Sequence, residues 1–515
     1  MRKLKIISLI RNVNKALMLP LLLTLFSTQT LADEKANKII QKSIEAYGGV
    51  KLLNMHSLTL EETSSSYAQW QSNASIQGAT ISYLSENKTE YAIDFSNNRK
   101  VFKQATTKLV GNHHSNFPSV KHRLFTNGAG YSIDHILQEV KQSKNISFAN
   151  ADRLVDTLII KQLYQDMQYA QWEDMAYIEG KPQDIITINK NSRNEYTVFI
   201  DKDSKYLTQL ILPTVGRLTS YNYLNHTKSN GIVWAQSLFI GNTQQPVSYS
   251  NSRKVSFNST KLDQFNIPLN YKTGTTKEYF DSSALTVNKI ADNIYFAGQD
   301  WGYTLFIDTG SYLISAGAWQ TDDKSNAWRN ALALFRETTG NIKPLKQHIV
   351  THHHFDHMMG LKDVVEQGVD LIVHKSLIAA VEEHLGASIP KESLVTIDDT
   401  SYLANDSVML FDLPTSHANH NLAVYLPEQK ILFTEDIFGS SFKSDFHSPA
   451  NWPDGDTYFR LDTLLAQLND LKIAPTTFLS SHHARVLSVQ DIQQALAVER
   501  PSNNVLLKRL FAIKQ

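Results

Sequence analysis

No cysteine occurs anywhere in the 515 residues. That absence excludes disulfide scaffolds, thiolate metal sites and cysteine nucleophiles. An excess of one charge is missing as well. Fifty basic residues balance 50 acidic ones, which argues against a nucleic-acid binder with its basic stripe. Glycine (21) and proline (14) are too scarce for a fibrous protein, and a 42% hydrophobic content is too high for a disordered one. What remains is a globular chain, long enough for about two to four domains.

The first 32 residues read as an export signal. Arg2, Lys3, Lys5, Arg11 and Lys15 precede the apolar run from Ala16 to Phe26, and Thr30-Leu31-Ala32 supplies small residues before Asp33. The run is about half of the roughly 20 residues that a spanning helix requires. Cleavage near Ala32 leaves 45 basic and 50 acidic residues, net −5. The expectation is a periplasmic or secreted protein with no integral membrane segment in its mature part. Its expected partner is a small-molecule substrate and not a nucleic acid. Oligomeric state is not encoded in any pattern of the chain.

Beyond the signal, Ile39, Ile40, Ile44 and Ala46 keep helical spacing until Gly48-Gly49. Short alternating runs follow, and a helical stretch around 150–169 interrupts them. Strand pairs at Tyr196–Ile200 with Tyr206–Leu212, and at Ser220–Leu224 with Ile232–Ile240, read as hairpins. Residues 33–283 are therefore expected to be an α+β domain with an antiparallel sheet; its pattern is faintly similar to periplasmic lipoprotein-carrier domains, and a structural or substrate-presenting role is the other expectation. A seam falls near 273–284. After it, strand and helix alternate through 284–496, and 497–515 form a C-terminal tail.

Twelve of the 18 histidines lie between His348 and His483. The densest run, Thr351-His352-His353-His354-Phe355-Asp356-His357, directly follows the apolar strand Ile349-Val350. On an extended backbone His352, His354 and Asp356 project to one side, and His357 swings round as the chain turns into a helix. Four such side chains at a strand end suit a divalent cation, and imidazole suits zinc best. Three later strand-end segments carry further candidates: His417 and His420, then Glu435-Asp436, then His482-His483. Trp301, Trp319 and Trp452 sit in loops where they could line a pocket.

Residues Ala284 to Leu496 resemble the metallo-β-lactamase superfamily. Its H-x-H-x-D-H signature matches His352, His354, Asp356 and His357, its third histidine matches His417, and its bridging acid matches Asp436. Its late H-G pair resembles His483-Ala484, with His482 as the other candidate. The resemblance implies an α/β fold, the four-layer αβ/βα sandwich. It also implies one metal on His352, His354 and His417, a second on Asp356, His357 and His483, and Asp436 between them. Three departures stand out. Ser315 occupies the place of an early-strand acid, Glu435 replaces a glycine, and no thiolate ligand exists.

The function implied is an exported hydrolase using a zinc-activated hydroxide on an ester, lactone, thioester, amide or related bond. Two Zn2+ ions are expected, with iron as the other candidate metal. Asp356 is the expected catalytic group, orienting the nucleophile and passing its proton to the leaving group. His420 is a candidate for supporting a ligand from behind. Two alternatives remain: a mononuclear-iron dioxygenase on the same fold, and a non-catalytic periplasmic metal-containing binding protein.

Overall fold

The computed structural model describes residues 33–67, 85–108, 119–148, 153–192, 194–214, 217–242, 246–274, 283–300, 302–320, 326–386, 393–415, 417–418, 420–438, 456–497 and 501–511. The signal-like segment, Trp301 and Trp452 lie outside them.

Among the described residues the strands form three sheets, of 14, seven and six strands. The largest runs from Ser57 to Thr273 and is antiparallel except for the short pair Lys272–Thr273 with Glu139–Gln142. Both hairpins expected from the pattern are present, with Leu210 opposite Val198 and Tyr221 opposite Ile240. The opening helix, Glu34–Tyr47, is capped by Asp33, which accepts from the Lys35 and Ala36 amides. Gly48, at φ +128°, ends it. Its buried face (Ala36, Ile40, Ile44, Tyr47) packs with the helix Asp156–Asp166 against one face of the sheet, forming the largest core.

The second sheet starts at Thr286 and carries strands to Ile397; the third runs from Thr400 to Ser488. Their inner faces meet in one core that includes Phe296, Leu305, Ile349, Leu410, Val424 and Phe433. Outer cores hold the helices Ala327–Thr339 and Ile378–Leu385 on one side, and Asp456–Asp470 and Val489–Leu496 on the other. This order of helix, sheet, sheet, helix is the αβ/βα sandwich. Two inner strands of the second sheet, Leu345–Val350 and Asp370–His374, run parallel, and their apolar residues enter cores on both faces: Leu345, Val350, Leu371 and Val373 on one, Ile349 and Ile372 on the other.

The C-terminal tail contributes a helix, Asn503–Phe511, whose Leu506 and Leu510 pack on Ala105 and Val120 of the first sheet. Arg509 donates to the His135 carbonyl at 2.7 Å. The last part of the chain thus returns to the first sheet. No described helix is long and apolar enough to cross a membrane.

Candidate metal centre

The strand Leu345–Val350 ends at the sheet edge, and the chain continues extended through His354 before a short helix, Phe355–Met358. Period-two projection carries His352 and His354 inward, and the helical turn brings His357 round beside them. All three are buried. His417 arrives from the loop that joins the strands Val408–Asp412 and Leu422–Leu426. Asp436 follows the strand Ile431–Phe433, and His482 follows Thr477–Ser480. Four strand ends from two sheets therefore converge.

They form two donor groups, each with its ligand atoms within 4.8 Å of one another: His352, His354, His417 and Asp436; and Asp356, His357 and His482. Asp436 joins them. Its Oδ2 lies 3.0 Å from His357 Nε2 and 3.1 Å from His417 Nε2, and its Oδ1 lies 3.1 Å from His482 Nε2. Of the two late candidates, only His482 has a described side chain. The imidazole in the second group is that of His482, at the turn, whereas His483 begins the next strand and its side chain lies outside the described residues.

The chemistry of these donors fits cations. His352 and His417 meet Nε2 to Nε2 at 3.3 Å, as do His357 and His482 at 3.1 Å. Two neutral imidazoles can share only one proton at such a contact. His354 is 1% exposed, yet neither of its ring nitrogens has a hydrogen-bond partner among the described residues. A buried polar group left unpaired costs about 1–3 kcal/mol, and coordination to a cation removes that cost. Burial holds the His352 and His354 imidazoles well below their usual pKa, so both present lone pairs. Burial by itself would raise the Asp436 carboxyl, but His357 and His482 beside it hold it well below the usual range. Burial disfavours the His357 cation; Asp436, Asp356 and Glu435 outweigh it and push the pKa well up.

Residues that sequence reasoning did not place in support complete the shell. Glu435 is fully buried, and its Oε1 accepts from His357 Nδ1 at 2.6 Å. That bond fixes the tautomer and turns Nε2 toward Asp436. Glu435 stands where the resemblance expects glycine, and its φ of +57° is the left-handed backbone that glycine favours. The carboxylate's hold on His357 compensates a strain of about 1 kcal/mol or more. Arg460 donates to the Asp436 carbonyl at 3.0 Å and sits 3.1 Å from His417 Nδ1. A proton on His417 Nε2 suits that contact, so a cation bound at Nε2 requires the guanidinium to withdraw from Nδ1.

Ser315 also has a role. Its hydroxyl is 2.8 Å from Nδ1 of the buried His348 beneath the centre. His420 touches none of the seven donors. Its Nδ1 pairs with Asp412 at 2.8 Å and its ring stacks on His374, while Asp412 accepts from the Asn421 amide. These contacts brace the loop that carries His417. Trp319 lies edge-on to His482, with ring centres 6.2 Å apart. A Cβ on Gly302 would fall 2.0 Å from this indole, so only glycine leaves room for it.

Residues 290–477 match the family profile of the metallo-beta-lactamase superfamily. The C-terminal half is a metallo-β-lactamase-fold domain. Among solved structures, this domain is similar to the metallo-beta-lactamase from Pontibacter korlensis (19% identity; 42% of this chain and 98% of that chain; TM-score 0.31). It is also similar to the mono-zinc form of the metallo-beta-lactamase FIM-1 from Pseudomonas aeruginosa (16%; 45% and 98%; 0.32). A third is the stereoselective inverting sec-alkylsulfatase Pisa1 from Pseudomonas sp. (17%; 41% and 40%; 0.31). No curated protein matches the chain. The matched residues carry most of the second and third sheets and every donor of the two groups except His482.

Proposed function

We propose that the protein is an exported, zinc-dependent hydrolase acting on an ester, lactone, thioester, amide or related bond. One observation carries this reading: two donor groups share a single carboxylate, Asp436, at the edge of a metallo-β-lactamase sandwich. A set of three imidazoles and one carboxylate suits zinc in both ligand type and number. When bound, a zinc pair lowers the pKa of water and offsets negative charge at the attacked centre.

The residues of the chain supply positioning and proton transfer. Asp436 holds the two groups at a fixed spacing. Glu435 keeps the His357 Nε2 lone pair aimed inward. Asp356 is 26% exposed, more open to solvent than His417, His482 or Asp436, and its Oδ2 reaches 3.6 Å from His357 Nε2. It can therefore face substrate, take a proton at Oδ2 and return it to the leaving group. Trp319 forms a wall beside His482. Export rests on the basic and apolar order of residues 2–32.

Metal analysis of purified protein tests the centre: about two zinc ions per chain are expected, and fewer than one under zinc-replete conditions would overturn it. A panel of esters, lactones, thioesters, β-lactams, phosphodiesters and sulfate esters then identifies the bond. Mass analysis of protein recovered outside the cytoplasm should give an N-terminus at Asp33.

A further inference from the structure

A third group of metal-competent side chains lies outside the centre. His374, Asp412 and His420 each offer a ligand atom, and the three atoms lie within 4.8 Å of one another. None of the three belongs to the seven donors described above. They come from separate elements. His374 ends the strand Asp370–His374 of the second sheet, Asp412 ends Val408–Asp412 of the third, and His420 precedes Leu422–Leu426. His374 and Asp412 are buried, and the His420 side chain is 31% exposed.

The contacts within the chain leave this group incomplete. His374 Nδ1 accepts from the Ser376 amide at 3.3 Å, which puts the proton of a neutral ring on Nε2. That nitrogen is buried, in a residue 1% exposed, and has no hydrogen-bond partner among the described residues. An Asp399 carboxylate oxygen stands 4.0 Å away, beyond hydrogen-bond reach. The His420 ring stacks on the face of His374, with centres 4.2 Å apart and planes at 20°, so it does not stand in the ring plane where an acceptor belongs. Two imidazoles so close disfavour a positive charge on both at once. Asp412 turns one oxygen to the Asn421 amide at 2.9 Å and the other to His420 Nδ1 at 2.8 Å. The adjacent cation, Lys375, pairs with Asp398 at 2.7 Å.

We propose that His374, Asp412 and His420 bind a divalent cation of the zinc type, at a site separate from the two-group centre. Two imidazoles and a carboxylate are donors that zinc takes, and water fills the fourth place. Coordination through His374 Nε2 needs the proton on Nδ1, and the long Ser376 contact is the one given up. The role of the ion is structural. Asp412 and His420 lie on either side of His417 in the sequence, and His374 belongs to the other sheet. A cation held by all three therefore pins both flanks of His417 to the second sheet. The site uses none of the seven donors, so the proposal does not depend on the hydrolytic reading.

Metal analysis of the full chain after dialysis against excess zinc tests it. The wild type should hold about one zinc ion per chain more than His374→Gln, and the same excess over His420→Asn, a change at a partly exposed position. Adding His374→Gln to Asp436→Asn should remove one further ion, because losses at separate sites add. Zinc should also raise the thermal midpoint of Asp436→Asn more than that of the double variant. Equal zinc content in the wild type, His374→Gln and His420→Asn overturns the proposal and leaves the hydrolase reading untouched. Loss of an ion in the single variants with no further loss in the Asp436→Asn background assigns that ion to the centre, and also overturns it. A wild type that holds a single ion, absent from His374→Gln, would uphold this site and sink the two-group centre.

Discussion

Buried histidines occur in both halves of this molecule, and they are treated in opposite ways. Under the first sheet, Tyr47 donates to Asp156 at 2.7 Å, Asp156 also accepts from the Ala235 amide, and His226 closes the group. Elsewhere in the first half, Tyr271, His135 and His122 pair in sequence at 2.7 and 2.9 Å, with His122 Nε2 left unpaired among the described residues. At the edge of the metallo-β-lactamase sandwich, two imidazole pairs meet Nε2 to Nε2 around one carboxylate, and His354 has no hydrogen bond at all among the described residues. The group around Asp156 is complete as it stands. The group around Asp436 is complete only around cations. Satisfied buried polar groups hold a fold together, whereas convergent unsatisfied ones mark where a ligand belongs.

Four changes would break or sharpen that contrast. The largest effect is expected at the exposed acid of the centre. Asp356→Asn should lower kcat by about 10²–10⁴, the range for removing a general acid–base group, while at least one metal is retained and the unfolding midpoint holds. In the first half the corresponding loss is of stability and not of turnover. Asp156→Ala strands the Ala235 amide and leaves the Tyr47 hydroxyl only His226 and the Leu207 amide, and should cost about 2 kcal/mol in urea unfolding. Activity per folded molecule should not change; a fall in kcat would show that the halves are coupled.

The pH dependence should also divide between them. Burial pushes the His135 imidazole down to about 4. The unfolded chain, with a histidine pKa near 6.5, then binds more protons than the folded one between those values. Stability from this group is full above about pH 6.5 and is lost as pH falls toward 4, by about 2 kcal/mol at pH 5. Unfolding at pH 7 and pH 5 should show that loss in the wild type and a smaller one in His135→Gln. An equal loss in both would remove His135 from the account. The smallest expected effect is Glu435→Gly. It relaxes the backbone at φ +57° but frees His357 Nδ1, and competition with a chelator should show metal affinity reduced about 10–100-fold.

Several of these features were legible along the chain. Apolar strands that end in His352-x-His354-x-Asp356-His357, in His417 and in Asp436 are local patterns, and the sandwich brings those strand ends together. The opening helix showed its face through Ile40 and Ile44 and its end through Gly48. Other features were not local. His482 and His483 are neighbours with the same chemistry, and only the fold brings His482 beside His357 and Asp436. Glu435 looked like an extra charge beside the bridge; only the distance to His357, 78 positions earlier, makes it a support. His420 looked like a supporter of a ligand ring, and its partner is Asp412.

What the sequence alone determined is therefore the alphabet of the site and the elements that carry it. Strand and helix periods depend on neighbours within a few residues, and a ligand motif is a local run. Tertiary structure decided which carboxylate orients His357 and how strand ends from two sheets meet around Asp436. Those outcomes depend on chain twist and on contacts between positions far apart, which no local spacing encodes.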